Sequence, residues 1–153
     1  MRLILLPLLL AAAPAWAVQP PASSAASRPA SAPVTVESYY RIRWGSFWDF
    51  MAIYQEHHAP ILAEMRRRGF VTAIRTETPV THMAGDQRWD LRVTITYRDG
   101  NAALGADGGA YERAVREAST RLFPDNAAHL AAETRRFAML EEHWDVVVGE
   151  YAE

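Results

Sequence analysis

Ten consecutive residues, Trp89 to Arg98, set Leu91, Val93, Ile95 and Tyr97 against Asp90, Arg92, Thr94, Thr96 and Arg98 in unbroken alternation. A period of two is that of a β-strand with one apolar and one polar face, so this chain must cover one side of a sheet and account for the other. Val36 to Trp44 repeats the pattern. Val36, Ser38, Tyr40, Ile42 and Trp44 share one side, while Glu37, Tyr39, Arg41 and Arg43 share the other. Phe70 to Thr78, ended by Pro79, and His143 to Tyr151, centred on three valines, predict two further strands.

The covering layer comes from segments of helical period. Gly45 breaks the first strand, and Ser46-Phe47-Trp48-Asp49 offers a helix start with Ser46 as the expected cap. Phe47, Phe50, Met51, Tyr54, His58, Ile61, Leu62 and Met65 then fall on one stripe up to Gly69. Pro60 removes an amide donor and disfavours helical geometry at Ala59, which predicts a kink near His58. Val80 to Arg88 reads as a loop and Asp99-Gly100 as a turn, followed by a glycine-rich linker through Gly109. A helix over Ala110 to Phe123 carries Tyr111, Ala114, Val115, Ala118 and Leu122 inward; after Pro124, Asp125 caps another whose expected inward residues are Leu130, Thr134, Phe137 and Ala138.

Strand, helix, strand, strand, helix pair, strand is the order of an α+β ferredoxin-like βαββαβ domain with an extra helix, an antiparallel four-stranded sheet covered on one face. This domain is expected over 34–153. Before it, Arg2, the apolar run Leu3 to Ala13 and Ala15-Trp16-Ala17 form the three parts of a secretory signal over 1–17, and 18–33 is a Pro/Ala/Ser-rich disordered tether. The apolar run is far short of the roughly 20 residues a spanning helix needs, so stable membrane insertion is not expected. The expected location is periplasmic or secreted. There is no cysteine, hence no disulfide and no lipidated cysteine, and stability must come from packing.

All sixteen basic residues are arginine, which excludes lysine Schiff-base chemistry. A net charge of −2, more negative once Arg2 is removed, gives no support to a nucleic-acid partner. No nucleophile-elbow, phosphate-loop, dinucleotide or zinc-protease pattern occurs. His129 and Glu133 stand one helical turn apart, yet no third ligand is spaced to join them, so no metal is expected and a solvated helix face is the better account. No organic cofactor is expected either. His58 lies within about 20° of the stripe centre, where it can be a buried imidazole holding the kink or can serve as an acid/base at neutral pH. His57 lies about 80° away and should be a partly exposed neighbour. His82 sits in a loop.

The polar sheet face collects Tyr39, Arg41, Arg43, Arg75, Glu77, Asp90, Arg92, Thr94 and Thr96 from three strands. Water can cover such a face. If two such faces close over each other instead, the arginines need either an anionic ligand or the carboxylates of Glu77 and Asp90.

Tyr54, His58, Ala59, Pro60 and Ile61 on the first helix, with Arg88-Trp89-Asp90 opening the third strand, give the chain a resemblance to the dimeric α/β-barrel superfamily, in particular its EthD-like and NIPSNAP-like branches. The resemblance implies a homodimer that pairs two sheets face to face around a lumen, in which many members bind or convert small organic molecules. Three roles follow. One is a binding protein for a small anionic or aromatic molecule, with Tyr39, Arg41, Arg43, Tyr54 and Arg75 at the ligand. Another is a cofactor-independent isomerase, cyclase or monooxygenase, with His58 as proton carrier and Arg92 stabilising negative charge. The last is a structural exported protein without a ligand.

Overall fold

The computed structural model describes residues 32–105 and 109–149. The expected leader, most of the tether, the middle of the glycine-rich linker and the end of the last expected strand lie outside these residues. The elements are β1 (Val34–Ile42), α1 (Phe47–Ile53), a π turn (Tyr54–His58), α2 (Ala59–Arg67), β2 (Val71–Glu77), β3 (Leu91–Tyr97), α3 (Gly100–Leu104), α4 (Ala110–Leu122), α5 (Asn126–Ala138) and β4 (Leu140–Val148). The sheet order is β2-β3-β1-β4 with every neighbour antiparallel. This is the expected ferredoxin-like βαββαβ arrangement, with α3 and α5 added.

The alternation in β3 decides which face is covered. Leu91, Val93 and Ile95 are buried with Tyr40 and Ile42 of β1 and Val71 of β2, under Phe50, Tyr54, Leu62, Met65, Ala114 and Ala118 from the helices. Between α2 and α4, Glu64 is buried beneath Arg67, Arg68 and Arg121 at 2.6, 2.9 and 2.7 Å. Hydrogen bonds from Arg67 and Arg68 hold its carboxyl far below the usual carboxylate range.

The kink expected from Pro60 is a π turn. The amide of Ala59 donates to the carbonyl of Tyr54, five residues back, so one extra residue is accommodated just before the proline that has no amide to give. Ser46 occupies the expected cap position of α1, but its side chain makes no capping bond. Asp125 does cap α5, accepting from the Ala128 amide at 3.0 Å. The expected turn at Asp99-Gly100 opens the short helix α3, with Asp99 accepting from the Ala102 amide at 2.8 Å.

Besides shifts of one or two residues at other strand ends, three differences from the sequence reading matter. β1 ends at Ile42, after a pairing irregularity with β4 at Arg41/Ile42, so Trp44 leaves the strand and is 68% exposed. β4 starts at Leu140, earlier than the expected His143. On α5 the buried residues are His129, Ala132 and Arg136, and all four expected inward residues face outward: Leu130, at 56% exposure, Thr134, Phe137 and Ala138. Hydrophobic periodicity misplaces the stripe because α5 packs against the π turn with polar residues.

Leu91→Ala should cost about 2–5 kcal/mol in urea unfolding, whereas Leu130→Ala should change stability by less than about 0.5 kcal/mol. Equal effects would contradict the face assigned to α5.

Candidate functional site

Among the described residues no helix covers the second face of the sheet. The strand registers place Tyr39 and Arg41 of β1, Arg92, Thr94 and Thr96 of β3, and Arg75 and Glu77 of β2 on it, as expected. β4 adds Glu142, Trp144 and Val146; Glu142 precedes the expected start of that strand, and Trp144 and Val146 lie within it but take their face only from the pairing with β1. Arg43 is beyond the end of β1, in the turn that leads to α1, with its amide bonded to the Met139 carbonyl at 2.9 Å. Asp90 also leaves the face: its carboxylate accepts from the Ile42 amide at 2.7 Å and pairs with Arg88 at 3.2 Å.

The arginines of this open face are already engaged. Arg92 bonds Glu77 at 2.9 Å and lies 3.8 Å from Glu37, and Arg75 reaches the same Glu77 at 2.8 Å. Arg41 pairs with Glu142 at 3.1 Å and donates to the carbonyls of Arg88 and Asp86. The expected pairing with Glu77 therefore holds, while Asp90 serves the backbone. Beside the ion pairs stands an aromatic stack. Tyr39 lies parallel to Trp144 at 5.3 Å and edge-on to Trp89 at 5.9 Å, with its hydroxyl donating to Glu37 at 2.5 Å. The Arg92 guanidinium sits 5.5 Å over Trp89. Alternation gives Trp89 the parity of Leu91 and Val93, so its place beside Tyr39 comes from its lying before the start of β3 and is not legible in the pattern.

His58 and Arg92 do not come together, because the sheet stands between the helix layer and the open face. Tyr54 is buried in that layer against Phe50. His58 Nδ1 lies 3.7 Å from Glu133 Oε2, with its ring 5.3 Å from Tyr54. The extra residue of the π turn rotates the helix phase, so the His57 side chain is 16% exposed against 29% for His58, reversing the order expected at uniform pitch.

His57 Nδ1 faces His129 Nδ1 at 3.3 Å, and Phe123 stacks on His129 at 4.2 Å. His129 is thus buried, not part of a solvated face. Glu133 also clamps the buried Arg136 through Nε at 3.2 Å and Nη2 at 2.7 Å. The third guanidinium nitrogen of Arg136 has no hydrogen-bond partner, and the group lies 4.6 Å over Phe137 and 5.4 Å over Phe50. Among the described residues no group of three metal-ligating side chains converges.

Burial works to raise the Glu133 carboxyl, but His58 and Arg136 outweigh it and hold the group down to about 2. Burial lowers the basicity of His129; Glu133 opposes this, and His57 and His58 add to it. The unfolded imidazole takes a proton near pH 6.5 and the folded one resists it, so acidification below that value favours the unfolded chain. The urea midpoint should therefore fall between pH 7.5 and 5.5 (roughly one unit either side of the free imidazole value). In His129→Gln this fall should shrink, and an unchanged pH dependence would remove His129 as its source.

No family model matches the sequence, and no curated protein does. Solved structures do match. A dimeric ferredoxin-like protein from an uncultured marine organism is 6% identical with a TM-score of 0.52, covering 80% of this chain and 93% of that one. A hypothetical Arabidopsis thaliana protein is 11% identical with a TM-score of 0.51, covering 83% and 96%. An EthD family protein from Bacillus halodurans is 13% identical with a TM-score of 0.48, covering 78% and 99%. At these identities the likeness is one of fold, and the chain shares the ferredoxin-like fold of the marine protein.

Proposed function

We propose that the chain is an exported, homodimeric barrel protein that binds a small molecule of aromatic character. The observation that carries this reading is the open sheet face. It presents guanidinium and carboxylate groups in matched pairs beside the stack of Tyr39, Trp89 and Trp144. Burying an unpaired charge costs several kcal/mol, of order 3–5 when a partner is missing. A face whose charges are matched can be covered by a second copy without that penalty. The same pairing leaves these arginines little capacity for an anion, so aromatic surface is what the face offers a ligand. The dimeric state of the marine ferredoxin-like protein is consistent with this assembly. The leader over 1–17 supports export.

A second reading has one observation in its favour. His58 is partly open to solvent and sits beside Glu133, an arrangement suited to a proton carrier in a cofactor-independent isomerase, cyclase or monooxygenase. Arg92 lies across the sheet from it and takes no part within one protomer.

Sedimentation equilibrium of the mature protein should give a dimer, and Trp144→Arg, which sets an unmatched charge in the aromatic stack, should give a folded monomer. A monomeric wild type at tens of micromolar (about −6 kcal/mol of association) would remove the reading.

A further inference from the structure

At the end of the sheet where β1 and β2 finish and β3 begins, a cleft of about 350 Å³ opens. Trp44, Phe47, Trp48 and Trp89 provide aromatic walls, and Pro79 and Met83 of the loop before β3 close it. Trp48 is 80% exposed and packs edge-on against Phe47 at 5.2 Å; Trp44 tilts toward His82 at 6.5 Å. Large aromatics left open around a concavity mark a binding site, since exposed apolar surface of this kind serves no purpose in the fold itself. Pockets for small molecules begin at roughly 300 Å³ and are mostly apolar with a few placed polar groups.

The charges at the cleft, and Arg88 just behind its Trp44 wall, differ in their commitments. Arg88 lies 4.5 Å over the Trp44 ring, but its guanidinium donates to the Ile42 carbonyl and pairs with Asp90 at 3.2 Å and Glu141 at 3.3 Å. Asp90 in turn is held by the Ile42 amide. Arg43 is different: exposed, at the wall of the cleft, and without an ion pair among the described residues. The cleft therefore offers flat apolar walls with a cation uncommitted among the described residues, and the hydroxyls of Thr78 and Thr81 nearby.

We propose that this cleft binds a planar aromatic acid, with the ring system between the tryptophans and the carboxylate at Arg43. The proposal rests on the reading of the chain as a small-molecule binder but not on the dimer, because all of its lining comes from one protomer. A carboxylate matches the guanidinium fork in geometry and charge, and a flat ring matches the indole faces. A neutral ring would leave Arg43 without a role, and an aliphatic acid would leave the indoles without one.

The test is isothermal titration calorimetry of the mature protein with 2-naphthoate and its neutral counterpart 2-naphthamide, on the wild type and on Trp144→Arg. Naphthoate should bind both proteins, and at least tenfold more tightly than naphthamide. Arg43→Gln should abolish that preference. Trp48→Ala, at a position too exposed to affect folding, should weaken both ligands at least fivefold. Equal affinity for the two ligands would overturn the role of Arg43. Binding that survives unchanged in Trp48→Ala and Arg43→Gln would place the ligand elsewhere, overturning the cleft while leaving the small-molecule reading in place. No heat with either ligand would overturn the proposal for aromatic acids. Loss of binding in Trp144→Arg alone would assign the site to the paired faces.

Discussion

The backbone of Ile42 is caught from both sides, and the far end of the molecule depends on it. Its amide donates to Asp90, its carbonyl accepts from Arg88, and the two side chains pair with each other. Arg88 is nearly inaccessible to solvent, so its charge is tolerable only because carboxylates and a carbonyl surround it. This closed set of contacts stops β1 where it does and fastens the start of β3 beside it, with the Asp90 amide bonded to Tyr40. The loop before β3, the turn into α1 and the tryptophans of both are positioned from that anchor.

From there the sheet acts as a partition between two kinds of environment. On the helix side, the aliphatic residues of β3 meet the aromatic and aliphatic stripe of α1, the π turn and α2, and burial dominates the energetics. On the other side, polar side chains satisfy one another in cross-strand pairs, which is the usual way a sheet stabilises a face that has no core. Within one protomer, His58 on the first side and the arginines on the second are separate groups.

Much of this was legible in the residues. Period two in β1 and β3 fixed which side chains share a face, and the strand order followed from the spacing of breakers, so the ferredoxin-like arrangement could be read before any coordinates. The open-face residues Tyr39, Arg41, Arg75 and Arg92 were legible for the same reason. What could not be read were effects that cross between elements. The bulge at Arg41/Ile42 depends on β4, and it sends Trp44 out of the core and Arg43 off the face. The register of β4 depends on β1, so Trp144 was not placed. The inward side of α5 is polar because it answers His57 and Phe50, and hydrophobic periodicity is blind to a helix buried on histidine and arginine.

The wide turn between α1 and α2 has a consequence for how the first helix tolerates change. The widened turn absorbs one surplus residue, so α1 and α2 keep their inner sides aligned as in a helix one residue shorter. Winding the same residues at regular pitch would swing one half by about 100° relative to the other. Phe50 or Met65 would then be carried out of the interior. The width of that turn, more than the number of residues in it, keeps both halves packed.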